Sequence, residues 1–251
     1  MPRFFIKSEQ INDDTVRLIG EDAHHAARSL RMAVGDELTL CDESGVEYLC
    51  DIVEFIDDKE VIAKIKNQKT SDTEPPYHIS LFQALPKGDK LDLIIQKSVE
   101  CGASDIYLFQ SERCVVKIKK DAEDRKNERR QRIAESAAKQ CGRSIIPTVH
   151  EAIEFGEMLK LASESDLALF CYEGEGTEPL GRVLKDKLLS GSSNVKSISI
   201  IIGSEGGFSE NEVSMAKEAG MIAIGLGKRI LRTETASSFA LACISCVTEL
   251  C

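Results

Sequence analysis

IIIGSEGGFSENEVSMAKEAGMIAIGLGKRILRTETA, residues Ile200 to Ala236, decides how the rest of the chain is read. It holds two glycine-bearing loops, Gly203-Ser204-Glu205-Gly206-Gly207 and Gly225-Leu226-Gly227, each after a β-branched apolar run and before a helix-like segment. Strand, open loop, helix, twice over, is how an α/β protein builds a small-molecule site at the carboxyl ends of its strands. Ser209 with Glu212 three residues on has the form of a capping box, which starts a helix at Glu210 and leaves the glycines before it irregular. Glycines there permit close backbone approach to a ligand. No GxxxxGK[ST] pattern is present, and the second loop has Ile230 where the third glycine of a dinucleotide fingerprint belongs. A triphosphate P-loop and a Rossmann dehydrogenase are both poor readings; spacing alone leaves plain turn geometry open. A last helix starts near Thr233, with Thr233 or Thr235 as its cap. Arg232 just ahead of that start is badly placed for the helix dipole, which points it towards a ligand or an anionic group.

Outward from this stretch, strands and helices alternate. His78 to Leu85, Asp105 to Phe109, Asp166 to Tyr172, Val195 to Ile202 and Met221 to Leu226 read as apolar strands, with helices from Asp89 to about Gly102 and from about Asp121 to Cys141. That order predicts an α/β domain with a parallel sheet. Glu173 to Pro179 reads as a surface connection. Lys69 to Pro76, with its double proline, continues neither helix nor central strand and marks a domain boundary, giving domains over residues 1–72 and 73–251. Ahead of it, Arg3 to Lys7, Thr15 to Ile19, Glu37 to Cys41, Val46 to Val53 and Val61 to Lys66 are short strands of a small barrel, with a hairpin signal at Asp42-Glu43-Ser44-Gly45. A short helix from Asp22, its N-cap, to Met32 places Arg28 and Arg31 on one face.

The 251 residues, 42% hydrophobic, suffice for one large or two modest domains. No apolar run of membrane-spanning length and no signal-peptide core is present, so a cytoplasmic protein without membrane attachment is expected. The nine cysteines are scattered, apart from one CxxC at Cys243 and Cys246; core packing explains that pair better than a metal, and no metal is expected. A net charge of −10 gives no chain-wide footprint for nucleic acid, but Arg113 to Arg143 holds eleven Lys or Arg against five Asp or Glu. Such a stripe either selects where a polyanion lands or is a salt-bridged helix face, and charge alone leaves both open.

The blocks IIGSEGGFS, LGKRILRTETA, LPKGDKLDLIIQKSVECGASDIYLFQSERCVV (residues 85–116) and RRQRIAESAAKQCGR (129–143) together resemble the RsmE-type 16S rRNA uridine-N3 methyltransferases of the SPOUT superfamily. The similarity covers nearly the whole chain, including RFF near its start and HAARSLRMAVGDEL. One departure is Ser204, where the family usually has proline. The resemblance implies an amino-terminal PUA-like β-barrel that helps hold RNA. It also implies a carboxy-terminal α/β domain with a trefoil knot, although threaded connections are rare in proteins generally. It further implies S-adenosylmethionine as cofactor, a homodimer, and 16S rRNA or the small ribosomal subunit as partner. On that basis Gly203, Gly206, Gly207, Leu226, Gly227, Ile230, Leu231 and Thr235 are the cofactor-binding candidates. Arg232 and Glu205 are the catalytic ones, with Glu205 either a proton acceptor or a structural carboxylate. Arg3, Arg28, Arg31, Arg113, Arg130, Gln140 and Arg143 are the RNA-binding candidates. Competing expectations are another SPOUT methyltransferase, acting on transfer RNA or a ribose 2′-hydroxyl, and a non-catalytic RNA-binding assembly protein.

Overall fold

A computed structural model describes residues 1–42, 44–56, 59–118, 123–190 and 194–250. Glu43 of the hairpin signal, Lys119, Lys120 and Asp121 of the basic segment, and Cys251 lie outside these residues. The chain forms two units, Met1–Glu74 with Ala138–Ile146, and Pro75–Ala137 with Pro147–Cys251.

In the first unit, β1 (Arg3–Phe5), β2 (Ile11–Asn12), β3 (Thr15–Ile19), β4 (Glu37–Cys41), β5 (Val46–Ile56) and β6 (Glu60–Thr70) form a six-stranded sheet. Its order is β1-β4-β5-β6-β3-β2. Period-two alternation puts Val16 with Leu18 and Leu38 with Leu40 on the inner face, where they join Phe4, Ile52 and Val61 in one core. Burying each of these side chains stabilises the sheet by about 1.5–3 kcal/mol. Between β4 and β5, Asp42 Oδ1 accepts from the amides of Ser44 (2.9 Å) and Val46 (3.0 Å), so a side chain closes the turn. The helix expected from Asp22 differs from the observed one. Helix α1 (Gly20–His24) begins after Ile19 and passes into a single π-type turn, His25–Ser29. Asp22 is thus inside the helix, and Arg31 stands beyond it with φ 53°, so Arg28 and Arg31 do not share a helix face.

Glu74 organises the first unit's remaining segment. Its Oε2 accepts from Arg143 Nε at 3.0 Å and Nη2 at 2.5 Å, and its Oε1 accepts from the amides of Ser144 (2.9 Å) and Ile145 (3.1 Å). Burial pushes the Glu74 pKa up, but the Arg143 guanidinium and the two amides outweigh it and hold it below the ordinary value of 4.5. A depressed folded pKa means the unfolded chain binds the proton more tightly. This stabilisation is therefore full above the ordinary value and is lost as pH falls through the folded one. The melting temperature of the wild type is expected to fall more steeply with acidification below pH 4.5 than that of Glu74→Gln, which starts lower at neutral pH; parallel curves in thermal denaturation across pH would refute this.

The second unit is built from near-continuous apolar runs of the kind buried on both faces. Its strands are β7 (His78–Ala84), β8 (Asp105–Gln110), β9 (Thr148–Glu154), β10 (Leu167–Cys171), β11 (Glu178–Pro179), β12 (Ser197–Ile202) and β13 (Ile222–Gly225). They form one seven-stranded sheet, β11-β13-β10-β12-β7-β8-β9, in which every pairing is parallel. The helices are α2 (Lys90–Glu100), α3 (Glu123–Cys141, of which the residues from Ala138 on belong to the first unit), α4 (Phe155–Ser163), α5 (Leu180–Leu188), α6 (Glu210–Glu218) and α7 (Thr233–Glu249). The five apolar runs read as strands are β7, β8, β10, β12 and β13. The edge strands β9 and β11 lack that signal: β9 reads TVHEAIE, and β11 is two residues long.

Helix α6 starts at the expected capping box. Ser209 Oγ accepts from Glu212 N, and Glu212 Oε2 accepts from Ser209 N at 2.9 Å. Glu212 Oε1 also accepts from the amide of Glu112 at 2.8 Å, so this buried carboxylate ties the loop after β8 to the loop after β12. Replacing Glu212 with alanine removes both charge-assisted bonds and is expected to destabilise the chain by about 2–4 kcal/mol. In calorimetry that is a drop of about 5–12 °C in Tm. A change under about 2 °C would mean the tie contributes little.

Candidate active site

Parallel strands present their connecting loops at one end, and here the loops after β10, β12 and β13 enclose a cavity of ≈ 740 Å³. Because β10 lies between β12 and β13 in the sheet, the three loops are neighbours by topology. The β12 loop is anchored by Phe208, a buried ring 4.2 Å from that of Phe170. Gly203 lies against it: a Cβ there would sit 3.1 Å from the Phe208 ring, so a larger residue would displace the anchor. In the β13 loop Gly227 takes φ +103°, outside the region open to L-residues, and a Cβ on it would meet nothing within 4 Å. The β10 loop adds Tyr172, Gly174 and Thr177 to the wall. Glu173 to Pro179 is thus more than a surface connection: its first part is cavity wall and its end is β11.

Thr233 joins two of these loops. Its hydroxyl donates to the Gly203 carbonyl at 2.7 Å and accepts from Gln83 Nε2 at 2.9 Å. Neither Thr233 nor Thr235 caps α7: Arg232 is the N-cap, and its carbonyl accepts from the amides of Thr235 and Ala236. The threonine at the helix start is therefore spent on the β12 loop. Gln83, fully buried in apolar β7, was not singled out from the sequence; its signal is one amide side chain inside the run ISLFQALP.

Arg232 is exposed on the cavity wall, and among the described residues its side chain has no hydrogen-bond or ion-pair partner. Glu205 accepts from the Lys87 amide at 3.2 Å and from Lys90 Nζ at 2.6 Å. Burial pushes the Glu205 pKa up, but Lys90 and loop amides outweigh it and hold the carboxyl below the ordinary range. Lys90 Nζ also stands 3.7 Å from Glu234 Oε2, so one ammonium spans the β12 loop and the first turn of α7.

Gly203, Gly206, Gly207, Leu226, Gly227, Ile230 and Leu231 all line the cavity, together with Glu205, Arg232 and Arg113; Thr235 does not. Arg113 Nη1 donates to the Gly206 carbonyl at 3.1 Å. Of the other RNA-binding candidates, Arg3 and Arg143 are in contact, Arg3 Nη1 donating to the Arg143 carbonyl at 3.4 Å. Arg3 is bonded to Glu47 (2.9 Å), Arg143 is buried against Glu74, and Arg130 is only 7% exposed, whereas Arg28, Arg31 and Gln140 are exposed. Part of the basic segment is neutralised internally, since Arg129 pairs with Asp92 and Lys139 with Asp22. Among the described residues no group of three or more His, Cys, Asp or Glu is placed to hold a metal ion, and no helix is long and apolar enough to cross a membrane.

Residues 73–245 match the family model of the RNA methyltransferase domain, and residues 18–66 that of the RNA methyltransferase PUA domain. Ribosomal RNA small subunit methyltransferase E of Bacillus subtilis (strain 168) is 35% identical, with 100% of this chain and 98% of that protein covered. The chain belongs to the ribosomal RNA small subunit methyltransferase E family. Solved structures agree. A ribosomal RNA small subunit methyltransferase E from Neisseria gonorrhoeae, bound to S-adenosyl methionine, is similar at 33% identity and TM-score 0.81, covering 98% of this chain and 97% of that one. A putative methyltransferase from Legionella pneumophila, in complex with the bound cofactor SAM, is similar at 30% identity and TM-score 0.82, covering 97% and 96%.

Proposed function

We infer that this methyltransferase E family member transfers a methyl group from S-adenosylmethionine to N3 of a specific uridine in 16S rRNA. The observation that carries the reading is the cavity at the carboxyl ends of β10, β12 and β13, with an arginine on its wall that is unpaired among the described residues, in a chain aligned end to end with a small-subunit rRNA methyltransferase. The cavity fits the cofactor. Its ≈ 740 Å³ is within the range of small-molecule sites, and the wall joins apolar Leu226, Ile230 and Leu231 to exposed main chain. At Gly207 and Gly227 a Cβ would meet nothing within 4 Å, so the backbone there is bare. Gly203, Gly206, Gly207, Leu226, Gly227, Ile230 and Leu231 would hold the cofactor. Thr235 would contribute through the start of α7, where its amide bonds to the Arg232 carbonyl.

When bound, S-adenosylmethionine supplies an electrophilic methyl group on a sulfonium sulfur, a reaction that needs no metal. The protein's task is to place uracil N3 in line with that methyl group and stabilise the negative charge that spreads to the flanking carbonyl oxygens as the imide loses its proton. Arg232 is assigned that role: its guanidinium carries a full charge and is uncommitted among the described residues. Of the two roles open to Glu205, the ion pair with Lys90 favours the structural one, because a carboxyl held below the ordinary range is a weak base.

The reading includes a division at residues 72 and 73, with the six-stranded sheet as a PUA-like barrel that helps hold RNA. It also includes a trefoil knot through the β12 and β13 loops, a homodimer, and a cytoplasmic location. The family matches over 18–66 and 73–245 support the division. Arg28, Arg31, Arg113 and Gln140 would touch RNA directly, whereas Arg3, Arg130 and Arg143, half-buried or buried, would act by shaping the surface that does. Labelled S-adenosylmethionine incubated with free rRNA or with assembled small subunits tests the reading. Label should enter 16S rRNA in one of the two; label in neither would overturn it.

A further inference from the structure

Beside the cofactor cavity lies a second hollow of ≈ 520 Å³, and its chemistry is different. Lys87, Lys90 and Arg113 line it, with Val115 and the backbone of Gly88 and Gly206. Glu205 is the one acidic side chain on its wall, and its charge is already met by Lys90 at 2.6 Å. Lys87 and Arg113 therefore leave the hollow positive on a chain whose net charge is −10.

Three features suit it to an anion on a chain rather than to a free ion. Lys90, Arg113, Glu205 and Gly206 belong to both walls, so the hollow adjoins the cofactor cavity. Lys87 is held at its amide by both oxygens of Glu205, at 3.2 Å, while its exposed ammonium has no ion pair among the described residues. Val115, 75% exposed, supplies an apolar surface next to the cations, as a sugar or base edge requires.

We propose that this hollow is the subsite for a backbone phosphate flanking the target nucleotide, with Lys87 and Arg113 as its direct contacts and Lys90 as the residue that neutralises Glu205 beneath it. The proposal rests on the reading of the cavity as a methyltransferase site for RNA. A base entering the cavity carries its phosphates along the rim, and phosphate contacts fix register without reading sequence. The cofactor's own carboxylate is the competing anion.

Lys87→Gln and Lys87→Glu separate these cases, with fluorescence anisotropy on a 16S rRNA fragment over a range of salt and titration calorimetry with S-adenosylmethionine alone. The expected result is RNA binding weakened about threefold in Lys87→Gln and about tenfold in Lys87→Glu. The slope of log affinity against log salt should become shallower by about 0.7–0.9. Cofactor affinity should stay within twofold. Unchanged RNA affinity and salt slope would overturn the subsite, and so would cofactor affinity that falls in step with RNA affinity. Failure of the underlying reading shows elsewhere, as absent methyl transfer by the wild type.

Discussion

Arg232→Ala is expected to lower kcat by about 10²–10³-fold, the usual cost of removing one donor that stabilises developing negative charge. The structure makes this variant informative. The Arg232 side chain is exposed and unpartnered among the described residues, and the main-chain bonds it makes, from its carbonyl to the amides of Thr235 and Ala236, survive truncation. Tm should therefore stay within about 2 °C, and cofactor affinity should stay within about threefold. Arg232→Lys keeps the charge but loses the planar fork, and should recover only part of the rate. Steady-state turnover at saturating RNA is the measurement; a variant with near-normal kcat and an intact fold would remove Arg232 from the chemistry.

Gly227→Val should act on binding instead. At φ +103° a β-branched residue is strained by about 1–3 kcal/mol, so the loop must either move or carry that strain. The new side chain would also occupy open space beside the main chain assigned to the cofactor. Together these predict a loss of S-adenosylmethionine affinity of at least about thirtyfold in isothermal titration. Because β13 ends before the loop, at Gly225, circular dichroism should show an unchanged fold. Unaltered affinity would place the cofactor elsewhere.

The central strands were legible because burial on both faces demands continuous apolar runs, as in SISIII and LALFC. The α6 start was legible because a capping box is purely local. What escaped was set by neighbours distant in sequence. Strand β9 is an edge and tolerates His150 and Glu151, so its pattern is weak. Thr233 looks like a cap until Gly203 and Gln83 come within bonding distance, 30 and 150 residues away. Lys90 looks like an ordinary first-turn residue of a helix, and only the approach of Glu205 and Glu234 makes it the link between the β12 loop and α7. The wall formed by Tyr172, Gly174 and Thr177 has no motif; it is part of the site because β10 lies between β12 and β13.

Most direct is nucleoside analysis by mass spectrometry of 16S rRNA after reaction with the purified wild type and S-adenosylmethionine, with the modified position mapped by reverse-transcription arrest. A cavity that uses Arg232 to stabilise a uracil imide anion predicts 3-methyluridine at one position, strongly reduced with Arg232→Ala. Methyl on a ribose 2′-hydroxyl, or on a base with no acidic imide, would contradict the account.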